Sequence, residues 1–313
     1  MSTNNTHMKR RNSCILILTA FIWGTAFVAQ STGGDAVGPY TFNCIRFLIG
    51  SFFLALILPI IDRIRPDKEQ KKSVNKKTLL LGGTCCGIAL CFASNLQQLG
   101  IYLGSPVGKA GFLTACYIIL VPILGMFFQK KCGWNIWVGV LLTVIGLYLL
   151  CMDGAFYLQI SDILLLGCAF LFAIHILVID HFSPLVDGVR MSCIQFFVAG
   201  TLSSIPMVLT ETGHTMSDIQ TWLIPLSNLE NWFPILYAGI FSSGIAYTLQ
   251  IIGQQGVNPT VASLLMSLES VFSVLAGWVL LNETMGLRQL SGCGIIFVAV
   301  VLAQLPFNQK QAT

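Results

Sequence analysis

Ten apolar runs follow one another along the chain, at roughly 14–33, 39–61, 78–103, 106–128, 134–152, 160–180, 190–210, 232–253, 259–281 and 288–306. Each is near the ~20 residues that an α-helix needs to cross the hydrocarbon core of a bilayer. No water reaches backbone N–H and C=O groups at that depth, so a spanning segment must satisfy them within itself and is expected to be helical. Composition leads to the same class. Of 313 residues 55% are hydrophobic and 10% charged, with a mean hydropathy of +0.78, against about 25% charged in a soluble domain. The expectation is an all-α integral membrane protein with ten transmembrane helices. Gly33-Gly34, Gly38-Pro39, Gly104-Ser105-Pro106, Ser183-Pro184 and Asn258-Pro259 punctuate the runs as turns.

The formal charge of +4 does not signal nucleic acid, because of where the positives sit. Lys9, Arg10 and Arg11 precede the first run. Arg63, Arg65, Lys68, Lys71, Lys72, Lys76 and Lys77 follow the second, Lys130 and Lys131 the fourth, Arg190 precedes the seventh, and Lys310 follows the tenth. With ten spans these fourteen of the 17 positives share one side, which the positive-inside bias makes cytoplasmic, together with both termini. The expected location is the plasma or inner cell membrane. The basic start followed by an apolar run has the outline of a signal peptide. It lacks a small-residue cleavage site and is itself membrane-length, so it reads as an uncleaved first span. The eleven Cys fall mostly in apolar runs without C-x-x-C or zinc-like Cys/His spacing, and read as packing residues. No metal, cofactor or catalytic residue is expected.

The chain also aligns with itself. At an offset of 153, Leu79–Leu150 lies on Trp232–Ala303 without gaps, matching Ala93/Ala246, Gln97/Gln250, Gly100/Gly253, Pro106/Pro259, Gly133/Gly286 and Gly139/Gly292. At an offset of 149, the first two runs lie on the sixth and seventh, matching Ala20/Ala169, Phe21/Phe170, Cys44/Cys193 and Phe47/Phe196. The organisation is therefore a cytoplasmic N-terminus at 1–13, repeats at 14–152 and 153–306, and a cytoplasmic C-terminus at 307–313. A unit of five helices forces its copy to enter the membrane upside down. Inverted repeats of this kind are the signature of secondary transporters, with the site between the copies.

Three stretches carry a resemblance. Phe21-Ile22-Trp23-Gly24-Thr25-Ala26-Phe27 lies in the first run and Arg46-Phe47-Leu48-Ile49-Gly50 in the second. Ser267-Leu268-Glu269-Ser270-Val271-Phe272 and Leu280-Leu281-Asn282-Glu283-Thr284 lie in and after the ninth. In this order they resemble EamA-type members of the drug/metabolite transporter superfamily, in two EamA-like halves covering nearly the whole chain. The resemblance implies ten helices, inverted halves and movement of small metabolites or drugs, usually outward. Asn282 stands where the family often has Gly.

Helical spacing picks out candidate cavity residues. Thr19, Trp23, Ala26 or Phe27, and Gln30 share a face of the first run; Cys91, Asn95, Gln98 and Tyr102 of the third; Lys109, Leu113 and Tyr117 of the fourth. Gly244, Tyr247, Ile251 and Gln254 share a face of the eighth, with Gln250 beside Tyr247. The ninth has a small polar stripe of Ser263, Ser267, Ser270 and Gly277. Polar groups are costly in lipid, so these faces turn inward, to a cavity or to neighbouring helices. Trp23, Asn95, Gln98, Tyr117, Tyr247, Gln250 and Ser270 are the expected cavity set. Glu269, mid-way along the ninth run, has three readings: a proton site, a partner for a substrate's cationic amine, or half of an ion pair with Arg46. His175 is a proton relay or a packing residue. Lys109 is expected to extend to the outer interface, and Pro122 to kink the fourth helix.

The leading function is a secondary transporter, with a small-molecule substrate and the lipid bilayer as partners and a proton as candidate coupling ion. The expected cargo is small metabolites, amino acids or drug-like compounds, exported by alternating access. Gly104–Lys109 is one residue short of a P-loop and no Ser or Thr follows the Lys, so ATP is not the direct energy source unless a separate subunit supplies it. The alternatives are a non-transporting receptor or assembly protein, and an intramembrane enzyme. The latter lacks H-E-x-x-H, G-x-S-x-G or any paired acid and base.

Overall fold

A computed structural model describes residues 2–64, 75–105, 107–128, 133–151, 159–280 and 286–304, which form helices and turns with no strand among them. The helices are α1 (Ser2–Val37), α2 (Pro39–Ile64), α3 (Lys76–Tyr102), α4 (Val107–Ala115), α5 (Tyr117–Phe127), α6 (Trp134–Cys151), α7 (Ile160–Phe182), α8 (Gly188–Thr210), α9 (Met216–Ser227), α10 (Trp232–Leu236), α11 (Thr248–Gln254), α12 (Pro259–Met266), α13 (Leu268–Leu280) and α14 (Leu287–Gln304). A π-helical stretch, Tyr237–Tyr247, joins α10 to α11. Eight stretches are long and apolar enough to cross a membrane, while Trp134–Leu150 and Leu287–Ala303 are shorter apolar helices. The ends expected for those two runs, like Arg65–Lys72, Lys130, Lys131, Asn282 and Lys310, lie outside the described residues. The helix of the first run begins well before residue 14, at Ser2.

Two expected helices are interrupted. The fourth run breaks at Cys116, whose N–H reaches the Leu113 carbonyl at 3.3 Å, while the Ile119 N–H reaches the Cys116 carbonyl at 3.0 Å. The ninth breaks at Ser267, where the Ser270 N–H bonds the Ser267 carbonyl at 3.1 Å and the Ser267 hydroxyl donates to Leu264 O at 2.8 Å. Both are local tightenings to i→i+3 bonding, helped at Ser267 by a hydroxyl that draws on a backbone acceptor. Pro122, where a kink is expected, lies inside α5, which continues through it, so the interruption of this run falls at Cys116 instead.

In the eighth run the π-helical turns leave carbonyls that α1 uses. Trp23 Nε1 donates to Ser242 O at 3.4 Å and Thr19 Oγ1 to Ala246 O at 3.4 Å, and the Thr25 and Tyr237 hydroxyls are 2.6 Å apart. Glycines mark the closest crossings. A Cβ on Gly24 would sit 2.4 Å from Phe272 Cβ and 2.7 Å from Glu269 O, so only Gly lets α1 lie on α13 this closely. A Cβ on Gly146 would sit 2.9 Å from Gly292 O, and one on Gly139 3.2 Å from Ala299 O. As residue numbers rise on α6 they fall on α14, so the two pack antiparallel.

The same holds for α2 and α8. Phe47 stacks on Phe196 with ring centroids 6.1 Å apart, and Ser51 Oγ donates to Cys193 O at 3.0 Å. Each end of this pair is tied by an acid. At the end where α2 finishes, both carboxylate oxygens of Asp62 accept from Arg190 Nη2, at 3.0 and 2.7 Å. At the end where α2 starts, Glu211 accepts from the Tyr40 N–H at 2.8 Å, the Thr41 N–H at 2.6 Å and the Thr41 hydroxyl. A carboxylate there satisfies N–H groups that the first turn leaves without helical partners.

The segment between the seventh and eighth apolar runs contains α9, which buries no residue of its own. Trp222 Nε1 donates from it to Thr41 Oγ1 at 2.9 Å. Its N-terminus is closed by a Thr215/Asp218 capping box. Hydrogen bonds from Thr215, and then from the His214 N–H, hold the Asp218 carboxyl below its ordinary range. Lys109, expected to extend to the outer interface, is held by an acid. Its Nζ lies 2.7 Å from Oδ2 of the fully buried Asp162, joining α4 to α7. Leaving the buried Asp162 carboxylate without a partner would be strongly destabilising, which is a reason for the ammonium to be there.

Candidate functional site

Inside the bundle is a small cavity, with about 30 Å³ open to the centre of a water molecule, which is room for about two or three waters. Each wall comes from a different part of the chain. α1 contributes Trp23, Phe27 and Gln30, α2 Arg46, and α3 Gln97. Thr114 and Tyr117 flank the break between α4 and α5, Met266 and Glu269 that between α12 and α13. Phe172 and Ile176 come from α7, and Ser242, Tyr247 and Gln250 from the π-helical region and α11.

Of the expected cavity set, Trp23, Tyr117, Tyr247 and Gln250 are on the wall, as are Arg46 and Glu269. The other three are elsewhere. Asn95 is spent on its neighbours: it accepts from Asn43 Nδ2 at 2.8 Å and donates to Ser203 Oγ at 3.0 Å. Gln98 Nε2 donates to Gln30 O at 2.7 Å, fixing α3 to α1. Ser270 Oγ donates to Gly111 O at 3.2 Å, fixing α13 to α4. All three face inward, toward an adjacent helix rather than the cavity. His175 is also off the wall. Its Nε2 lies 3.2 Å from Gln195 Oε1, and its ring meets Tyr247 edge-on at 6.0 Å.

Arg46 and Glu269 do not pair. Glu269 Oε1 accepts from the Tyr117 hydroxyl at 3.2 Å. Arg46 Nε donates to Asn43 Oδ1 at 2.8 Å, and its guanidinium carbon lies 4.6 Å from the Phe47 ring centroid and 5.6 Å from that of Phe42. Aromatic faces attract a cation in place of an anion. Arg46 and the Glu269 carboxyl therefore both line the cavity without bonding each other. Trp23 and Tyr247 pack edge to face beside them, centroids 4.6 Å apart.

Phe27, Gln30, Gln97, Thr114, Phe172, Ile176, Ser242 and Met266 were not in the expected set. The repeat offsets held a signal for several of them. Adding 149 carries Trp23 to Phe172 and Phe27 to Ile176, and adding 153 carries Gln97 to Gln250. All six residues line the cavity.

Comparison with known proteins agrees with this architecture. The family model described as "EamA-like transporter family" matches residues 11–152 and again 159–305. An uncharacterized transporter of Archaeoglobus fulgidus is 30% identical over 291 residues, covering 93% of this chain and 84% of that protein. A WAT1-related chloroplastic protein of Arabidopsis thaliana is 26% identical, covering 93% of this chain and 69% of its own. A solved crystal structure superposes with a TM-score of 0.74 at 18% identity, covering 97% of this chain and 99% of the other, which shows a shared fold. The chain is a multi-pass membrane protein that belongs to the EamA-like transporter family.

Proposed function

We propose that the protein is a secondary transporter of ten membrane helices in two inverted five-helix units, moving small metabolites, amino acids or drug-like compounds through the central cavity by alternating access. The observation that carries this reading is the cavity itself. Its wall holds Arg46, without an ion-pair partner among the described residues, and the Glu269 carboxyl, flanked by two apolar runs interrupted at Cys116 and Ser267, in keeping with the discontinuous helices of transporter binding sites. Inversion is supported by contacts between equivalent positions. Phe47 stacks on Phe196, its own repeat partner. Gly146 meets Gly292, the partner of Gly139, while Gly139 meets Ala299, the partner of Gly146. A two-fold axis between antiparallel copies generates such reciprocal pairs.

Room for two or three waters is too little for a metabolite, so transport by this route requires the cavity to widen. The charge distribution favours cytoplasmic termini in the plasma or inner membrane, and the family resemblance favours outward transport. Glu269 is the candidate coupling site for a proton. Flux through purified protein in liposomes tests the reading. Solute-specific movement, accelerated by a counter-gradient, is expected. Failure of every solute class to move faster than in empty liposomes overturns it in favour of a receptor or assembly role.

A further inference from the structure

We infer that Arg46 is the receptor for a carboxylate carried by the transported molecule, so that the substrates are monoanionic organic acids with a compact apolar or aromatic body. This rests on the transporter reading and names the chemistry of the same site. Arg46 is 1% exposed and is the largest fully buried side chain among the described residues. Buried guanidinium groups are ordinarily paired with a carboxylate, because an uncompensated charge in a low-dielectric interior is strongly unfavourable. Here no carboxylate among the described residues pairs with it, and Nη2 has no hydrogen-bond partner.

The group is also aimed. Asn43 holds Nε and is itself fixed, donating from Nδ2 to Ser94 O at 2.9 Å and to Asn95 Oδ1 at 2.8 Å. The Phe42 and Phe47 rings confine the guanidinium plane. Such a planar fork, immobilised with donors to spare, is what bidentate recognition of a carboxylate needs. The scaffold does not require the charge: the repeat partner of Arg46 is Gln195, a neutral amide that serves the other half by bonding His175. One guanidinium in a cavity that also holds Glu269 compensates one negative charge, which favours a carboxylate over a phosphate dianion. Trp23, Phe27, Tyr247 and Phe172 supply the surface for the apolar body.

The test uses the full-length protein in detergent and in liposomes. Acetate, benzoate and 3-phenylpropionate are compared with benzamide, 3-phenylpropionamide, phenethylamine and phenyl phosphate, by thermal stabilisation and by competition for flux. At least one aromatic carboxylate is expected to bind at least tenfold more tightly than its amide, and Arg46→Gln is expected to erase that preference. Arg46→Lys, which keeps the charge without the fork, should retain part of it, and decides the matter if Arg46→Gln does not fold. Amides equal to carboxylates, no carboxylate binding, phenyl phosphate ahead of benzoate, or a preference unchanged by either substitution overturns the inference. Transport that continues with neutral or cationic solutes while carboxylates fail to compete removes the anion site and leaves the transporter standing. Absence of all transport removes the transporter.

Discussion

The two halves of the chain match in their walls and differ in their charges. Trp23 and Phe172, Phe27 and Ile176, and Gln97 and Gln250 are equivalent positions that all face the cavity. The helix breaks are nearly equivalent too, at Cys116 and Ser267. Yet Arg46 stands opposite a neutral Gln195, and Glu269 opposite a neutral Cys116. Shape is duplicated because the fold needs two copies to enclose a space. Charge is not, because two buried guanidiniums or two buried carboxyls in one small cavity would repel. The ends of α2 and α8 repeat the lesson. Asp62 and Glu211 are equivalent, as are Arg190 and Thr41, so one tie is an exposed ion pair and the other a carboxylate on backbone N–H groups.

Changes at the unmatched charges should have the largest effect. Glu269→Gln keeps the size of the side chain and its contact with Tyr117, and is expected to abolish or uncouple flux in liposomes while the protein elutes normally on size exclusion. Normal flux that still responds to pH would remove the proton role. Gly24→Ala places in the first half the residue that the second already has at Ala173, but Gly24 lies against the α13 backbone. Overpacking should cost about 1–3 kcal/mol by thermal unfolding; an unchanged melting temperature would mean that the crossing is looser than described. Glu211→Ala should lower stability by about 2 kcal/mol, since charge-assisted hydrogen bonds contribute roughly 1.5–3 kcal/mol.

Matched walls should respond alike. Trp23→Ala and Phe172→Ala are each expected to weaken substrate affinity about tenfold, the equivalent of 1.4 kcal/mol. A response from only one would show that the halves hold the substrate unequally. The smallest effect belongs to Arg190→Ala. Its partner Asp62 is 49% exposed and the Arg190 side chain 37%, so the pair contributes about 0–1 kcal/mol. Its effect should shrink further in 1 M salt, while that of Glu211→Ala persists.

Helical periodicity made much of this legible. It turned Trp23, Tyr117, Tyr247 and Gln250 inward, because an apolar run exposes its polar positions as one face. It gave an angle around each helix but not the neighbour at that angle. Asn95, Gln98 and Ser270 therefore looked like Gln250 while bonding an adjacent helix. Phe172 and Ile176 carry no polar group, so nothing about their cost in lipid drew attention to them. The Lys109–Asp162 pair joins residues on different helices, and depth along one helix says nothing of a buried acid on the next. The breaks at Cys116 and Ser267 have no proline or glycine at the break itself, whereas Pro122, the visible breaker, sits inside a continuous segment.

The crossing at Gly24 links two parts of the site that were described separately. The α1 backbone there touches the carbonyl of Glu269 and the backbone of Ser273, next to Trp23 on the same helix. With no side chain between them, the α1 backbone lies directly on the turn of α13 that carries the acid. In the proposed transporter, a shift of α1 would therefore bear on Glu269 as well as on Trp23.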